Sequence, residues 1–280
     1  MAKKFKADFA LLTVTLVWGA SFTLMKQALE YMPPFTFLAY RYLLAAIFLI
    51  IIFNKYIKKI DKSILKYGAL IGVTLFAGCT FQIIGLKITT ASKSGFITGL
   101  NVVFVPLFIA IKYKKLPNIY TSIGIIISVI GLALLSINGP LGINLGDILT
   151  LLCAIFFAME ILFISKYTLS LDPICLTIVT MLTVSILSLL PGILLENLDA
   201  VFNSTSVFAL IFTSLFCSAF AYLVQIVAQK YTSPTHTALI LLAEPIFSAL
   251  FAYILLGETM NSRGIIGCIL MFLGMVLSEF

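Results

Sequence analysis

Runs of roughly 20 almost wholly apolar residues alternate with short polar gaps along the whole chain, and at 1.5 Å per residue each run is long enough to cross a hydrocarbon core of about 30 Å as a helix. The pattern predicts ten helices, at 9–29, 34–53, 66–86, 94–111, 119–137, 147–165, 174–195, 206–228, 236–256 and 263–278. Pro33, Pro34, Pro117, Pro140, Pro173 and Pro234 fall in or beside the gaps, where a missing backbone donor costs least. Lys3, Lys4 and Lys6 before the first run and Gly19-Ala20-Ser21 within it imitate a cleavable signal. The apolar stretch continues to residue 29, however, and the repeat described below requires it, so it is read as a retained helix.

Composition removes the soluble alternatives. Of 280 residues, 61% are hydrophobic and 10% charged, against about 25% charged in an ordinary globular domain. The expected fold is therefore an all-α integral membrane protein. The net charge of +7 raises nucleic acid as a partner until the cations are placed. With the N-terminus inside, Lys3, Lys4, Lys6, Lys55, Lys58, Lys59, Lys62, Lys66, Lys112, Lys114, Lys115, Lys166 and Lys230 face the cytoplasm. Only Lys26, Lys87, Lys93 and Arg263 face outward. This bias puts both termini in the cytoplasm and the chain in the cytoplasmic (inner) membrane, against whose anionic lipids the charge makes sense without nucleic acid. Cys79, Cys153, Cys175, Cys217 and Cys268 lie inside apolar runs without paired spacing, and His236 is the single histidine, so neither a disulfide framework nor a metal centre is expected. No HExxH, Walker loop or Asp-rich motif occurs. No cofactor, ATP-driven step or enzymatic activity is therefore expected of the chain.

The sequence repeats itself. At an offset of 143, Gln82, Lys87, Thr89, Ile97, Phe104, Phe108, Asn118, Gly124 and Gly131 meet Gln225, Lys230, Thr232, Ile240, Phe247, Phe251, Asn261, Gly267 and Gly274. At an offset of 139, Asp8, Leu12 and Pro34 meet Asp147, Leu151 and Pro173. Two halves result, 1–143 and 144–280, of five helices each. An odd number of crossings inserts the second copy upside down, which is the inverted-repeat architecture of secondary transporters, with a central cavity at the junction of the halves.

Polar residues inside the runs are the candidate site. A charge near a helix centre costs roughly 2.5 to 3.5 kcal/mol on insertion scales, so each needs a reason. Glu244, near mid-depth and followed by Pro245, suits substrate or proton binding, with a structural polar contact as the plain alternative. Glu160 suits proton coupling or gating, with a neutral, hydrogen-bonded acid as the alternative. Arg41 is placed to grip a substrate carboxylate in bidentate fashion or to hold helices together in a permanent polar contact. Trp18, mid-run, needs a partner for its N–H and is assigned to the cavity wall. Gln82 and Gln225, equivalent in the repeat, either bind substrate or tie helices together. Asn101 aligns with Glu244 and joins the binding set. Lys26 is expected to snorkel, and His236, beside Pro234, to be solvated near an inner loop rather than a proton relay. Gly68-x3-Gly72, Gly95-x3-Gly99, Gly124 and Gly131 offer small faces for close packing within the chain or in a homodimer.

Trp18-Gly19-Ala20-Ser21-Phe22 with Lys26, Pro33-Pro34 with Arg41, Gln82-Ile83-Ile84-Gly85-Leu86-Lys87, the run from Ala91 to Pro106, and Leu242-Ala243-Glu244-Pro245 with Gly257-Glu258 together resemble the EamA-type transporters of the drug/metabolite transporter superfamily. The resemblance covers nearly the whole chain. It implies ten helices in two inverted repeats around a cavity, and transport or export of amino acids or other small metabolites. A proton or sodium is the candidate coupling ion, and the residues do not choose between them. One departure concerns the acid-proline pair that members often carry in each half: here Asn101 and Val102 stand opposite Glu244 and Pro245. A membrane-embedded enzyme acting on a lipid or isoprenoid phosphate is the alternative, and it lacks the clustered acids or histidines such chemistry uses.

Overall fold

The computed structural model describes residues 2–89, 91–136, 144–256 and 262–278. The side chains of Lys26 and Lys93, the gap around Pro140 and the Gly257-Glu258 motif lie outside the described residues. Among the described residues all regular structure is helical. The first three runs become α1 (Ala2–Ala28), α2 (Pro34–Ile52) and α4 (Lys62–Ile88), with a single turn, α3 (Asn54–Ile57), in the second gap. The fourth is two helices, α5 (Ala91–Gly99) and α6 (Asn101–Tyr113), and the fifth is α7 (Ile119–Ser136). Then come α8 (Leu145–Tyr167), α9 (Pro173–Glu196), and an eighth rod made of α10 (Ser204–Phe212), a π-helical stretch (Thr213–Phe220) and α11 (Ala221–Ala228). The ninth is again two helices, α12 (Pro234–Leu241) and α13 (Glu244–Leu256), and α14 (Ser262–Leu277) is last. Among the described residues, six rods suffice by length and apolarity to cross a membrane, and the apolar helices Ile119–Leu135 and Ser262–Leu277 are shorter.

Helix starts follow side-chain chemistry. Asn144 and Asp147 form a reciprocal capping box at α8, each accepting the other's amide at 3.0 Å. Asp61 caps α4, Asp172 caps α9, Asn203 and Ser206 box α10, and Ser233 caps α12. Each satisfies amides that the first turn leaves without an intrahelical partner.

At one end of the bundle, Lys3 lies over the ring of Tyr231, Lys59 over Tyr56, Lys66 over Tyr67 and Lys166 over Tyr167, and the rings of Tyr67 and Tyr167 stack with centroids 4.0 Å apart. Amphipathic rings and long cationic stems of this kind suit a membrane-water boundary. Between the ends, Ile47, Ile51, Ile126, Ile130, Ile186, Leu190, Ile266 and Phe272 are exposed, an apolar girdle that water would not tolerate and lipid would.

The core is in two main parts. One gathers Leu11 and Val14 of α1, Val102 and Val105 of α6, Ala158 and Ile161 of α8 and the turn at the end of α12. The other gathers Tyr42 and Leu49 of α2, Leu75 and Cys79 of α4, and Ile178, Met181 and Val184 of α9, with Ala219 and Tyr222. Trp18 packs against both.

Glycine sets the closest approaches. A Cβ on Gly131 would lie 2.6 Å from the Gly267 carbonyl oxygen, and one on Gly267 would lie 2.5 Å from that of Gly131; Gly124 and Gly274 meet in the same reciprocal way farther along α7 and α14. Gly68 and Gly72 admit Val179 and Thr183 of α9, so that small face is used inside the chain. Gly95 faces open space, and the expected Gly95-x3-Gly99 packing face reduces to Gly99, which meets Leu132 and Leu242.

The fourth and ninth runs break at matching places. Leu100 donates to Ile97 (3.1 Å) and accepts from Val103 (2.9 Å) and Phe104 (3.2 Å). Ala243, 143 residues later, donates to Ile240 (2.9 Å) and accepts from Ile246 (3.0 Å) and Phe247 (3.1 Å). Each is a turn tightened to i→i−3 bonding between two half-helices. In the ninth rod Pro245 sits in the first turn of α13, where its missing N–H is harmless. In the fourth, Val102 occupies that place and the break forms anyway.

Candidate functional site

The π-helical stretch organises the centre. Its altered bonding turns Cys217 and Ser218 toward α1 and α2: Trp18 Nε1 donates to the Cys217 carbonyl at 2.8 Å, and Arg41 Nε donates to Ser218 Oγ at 2.7 Å. Such bulges are rare and recur at functional places. Trp18 and Tyr222 pack with ring centroids 5.2 Å apart, Tyr222 and Tyr42 at 6.4 Å, and the Arg41 guanidinium lies 5.3 Å from the Tyr42 ring. Arg41 Nη1 also points at Met25 Sδ, 3.1 Å away, a weak acceptor for a full cation. The expected indole partner therefore exists, and it is backbone.

Arg41 and Gln82 together line a cleft with Met25, Leu29, Leu38, Cys79, Ile83 and Leu86. The cleft has a guanidinium and an amide at one side and apolar walls elsewhere, the composition of a site for an amphipathic small molecule. Its volume, about 20 Å³, admits a single water and no metabolite. A larger groove of about 220 Å³ between α2 and the eighth rod is lined by Leu44, Ile47, Phe48, Ile51, Ile211, Ser214 and Leu215, and suits a lipid chain.

Glu244 and Asn101 each open the second half-helix of a broken rod. At Gly19, beside Trp18, a Cβ would lie 3.0 Å from the Glu244 carbonyl oxygen, so α1 runs directly across the ninth-rod break. Glu160 is brought instead to Gln225: both are buried, and Gln225 Nε2 donates to Glu160 Oε2 at 3.4 Å. Gln225 is therefore placed against Glu160 and is not among the residues lining the Arg41 cleft, where its repeat partner Gln82 lies. One turn farther along, Ser165 donates to Gln229 at 3.3 Å, continuing the polar contact between α8 and α11.

His236 corrects an expectation. It is buried, not solvated, with Nε2 3.3 Å from Asp8 Oδ1, because the start of α12 is packed against α1. Three participants were not singled out from the sequence: Glu196, which anchors the start of α2, and Ser218 and Tyr222 beside Arg41 and Trp18. The small polar cluster Ser214, Cys217 and Ser218 in an otherwise apolar run was the available signal.

The EamA-like transporter family matches residues 5–137 and again 144–280. An "Uncharacterized transporter" of Archaeoglobus fulgidus is 34% identical over 98% of this chain and 86% of its own length. A "Probable amino-acid metabolite efflux pump" of Salmonella typhimurium is 26% identical over 98% of this chain and 95% of its own. A crystal structure at 18% identity superposes with a TM-score of 0.81 over 97% of this chain and 96% of that one, which shows the fold. These relatives are named as transporters and not as enzymes, which sets aside the lipid-enzyme alternative. The chain is a multi-pass membrane protein and belongs to the EamA-like transporter family.

Proposed function

We propose that the protein exports small metabolites such as amino acids across the cytoplasmic membrane by alternating access, with both termini in the cytoplasm. Two inverted five-helix halves, 1–143 and 144–280, rock about their junction. The observation that carries this reading is the pair of matched breaks at Leu100 and Ala243, 143 residues apart and bonded alike. Discontinuous helices at corresponding positions of two halves are where inverted-repeat carriers bind cargo.

Contacts between repeat partners support the same symmetry. Gly99 meets Leu242, and Ser128 Oγ donates to the Met271 carbonyl at 3.4 Å, each pair being a residue and its own counterpart at the offset of 143. Such self-pairing is what a two-fold axis produces. The lysine-capped tyrosines at the N-terminal end support the orientation.

Arg41 binds the cargo carboxylate, with Gln82 and Trp18 forming the wall and Asn101 and Glu244 presented at the breaks. Glu244 with Pro245, and Glu160 with Gln225, serve coupling or gating. Arg41 suits the role because Ser218 already orients its planar fork. In proteoliposomes, counterflow against a panel of amino acids is expected to be saturable, and to fall at least about tenfold, roughly the 1.4 kcal/mol of one bidentate contact, in Arg41→Ala. Glu244→Gln is expected to impair it too. Full activity in both variants would remove both residues from the mechanism, and no saturable exchange of any panel member would overturn the substrate class.

A further inference from the structure

We propose that Glu160 and Gln225 form a proton-binding site, in which the carboxyl of Glu160 is neutral in this conformation and is held as a cyclic acid-amide pair. The inference rests on the transport reading only in making this the place where a coupling proton is carried.

The geometry is specific. Glu160 and Gln225 are 3% and 1% exposed, and among the described residues no Lys, Arg or His nitrogen pairs with Glu160. One bond joins the two side chains, from Gln225 Nε2 to Glu160 Oε2, and at 3.4 Å it is longer than the 2.7–2.9 Å usual for a bond to a charged carboxylate. The other two polar side-chain atoms of the pair, Glu160 Oε1 and Gln225 Oε1, are buried and have no hydrogen-bond partner among the described residues. Both are acceptors. Two buried acceptors left over on adjoining side chains are costly, and one proton between them removes the cost.

The step balances simply. Hydronium gives a proton to Glu160 Oε1, an O–H bond forms and water leaves. The new O–H donates to Gln225 Oε1, while Gln225 Nε2 keeps donating to Glu160 Oε2, so every polar atom of the pair is satisfied. The groups around it are compatible with a neutral acid: Cys79 of α4, which packs on α8, and Tyr222 of α11, the helix that carries Gln225, are buried and ordinarily uncharged. Among the other elements packed on α8, α12 contributes His236, which is engaged by Asp8. When the halves part and water reaches the pair, water replaces the amide as partner and the carboxyl releases its proton.

Infrared spectroscopy of the purified protein at neutral pH, with no cargo added, tests this. The expected result is a protonated-carboxyl C=O band that shifts down in heavy water. The band should be lost in Glu160→Gln, moved to higher frequency in Gln225→Leu, and retained in Glu244→Gln. Loss of that band when choline is replaced by saturating sodium would mean a metal-cation site and overturn the proposal, as would its absence from the wild type or indifference to both variants at the pair. If Glu160→Gln does not fold, judged by circular dichroism and gel filtration, the shift in Gln225→Leu decides alone. Because no transport is measured, failure here leaves the carrier reading standing. Failure of counterflow likewise leaves the band to be explained.

Discussion

The carboxylate of Glu196, at the last position of α9, accepts hydrogen bonds from both the amide and the hydroxyl of Thr36, at 2.7 and 2.9 Å, and from the amide of Phe35 at 3.1 Å. The start of α2 has Pro33 where a capping side chain normally stands, so its free amides are served from another helix. At the equivalent place in the second half Asp172 stands where Pro33 does in the first, and caps α9 locally. One cap is therefore a tertiary contact joining α2 to α9, and the other is not.

Glu196→Ala is expected to lower stability by about 1–2 kcal/mol, the usual cost of a lost cap, whereas an alanine at exposed Glu30 should have almost no effect. Thermal unfolding of the detergent-solubilised protein measures the difference. Equal behaviour of the two variants would show that the anchor contributes nothing.

Gly131→Ala and Gly267→Ala should each cost about 1–3 kcal/mol by forcing α7 and α14 apart. Because they disturb one crossing, the double variant should cost less than the sum of the two. Gly95→Ala meets nothing within 4 Å and should be neutral or raise stability by up to about 1 kcal/mol through helix propensity. Denaturation midpoints for the four variants provide the comparison, and a Gly95 variant as damaging as the others would contradict the packing.

Trp18→Phe keeps the ring against Tyr222 and loses the bond to the Cys217 carbonyl. The expected cost is about 0.5–1.5 kcal/mol in stability, small beside that of Trp18→Ala, which also empties the contact between the two core clusters. If the bond holds the π-helical stretch in place, counterflow should fall more in Trp18→Phe than its stability loss accounts for. Activity that simply follows the folded fraction would argue against that coupling.

Pro245→Ala should retain the break in the ninth rod, since the fourth rod breaks at the same place with Val102. A stability change below about 1 kcal/mol is expected, with the pattern of cysteine labelling along α13 unchanged. A continuous helix in the variant, read as loss of labelling at introduced cysteines beside Ala243, would show that proline alone makes the break.

The apolar runs determined much of this protein by themselves. In a bilayer the backbone must satisfy itself within the segment, so a run of that length and composition has one solution, a helix. For the same reason the ends of α8 and α9 lie within a few residues of their expected places. The motifs from Trp18 to Pro245 likewise carried the family. Periodicity has no term for neighbours, however, and the tertiary structure decided what depends on them.

The break at Leu100 lies in a run with no proline at the corresponding position, and it shows only in the bonding of Leu100 to Ile97 and of Val103 to Leu100. His236 reads as a loop residue until α1 brings Asp8 to it. Gln82 and Gln225 are the same letter in the repeat, yet one lines the Arg41 cleft and the other faces Glu160, and among the described residues a π-helical stretch leads into the helix of Gln225 and not into that of Gln82. The sequence determines which segments enter the membrane through local energetics. Which polar groups meet there is settled by the packing of helices distant in sequence, since a buried donor or acceptor takes its partner from whatever surface faces it.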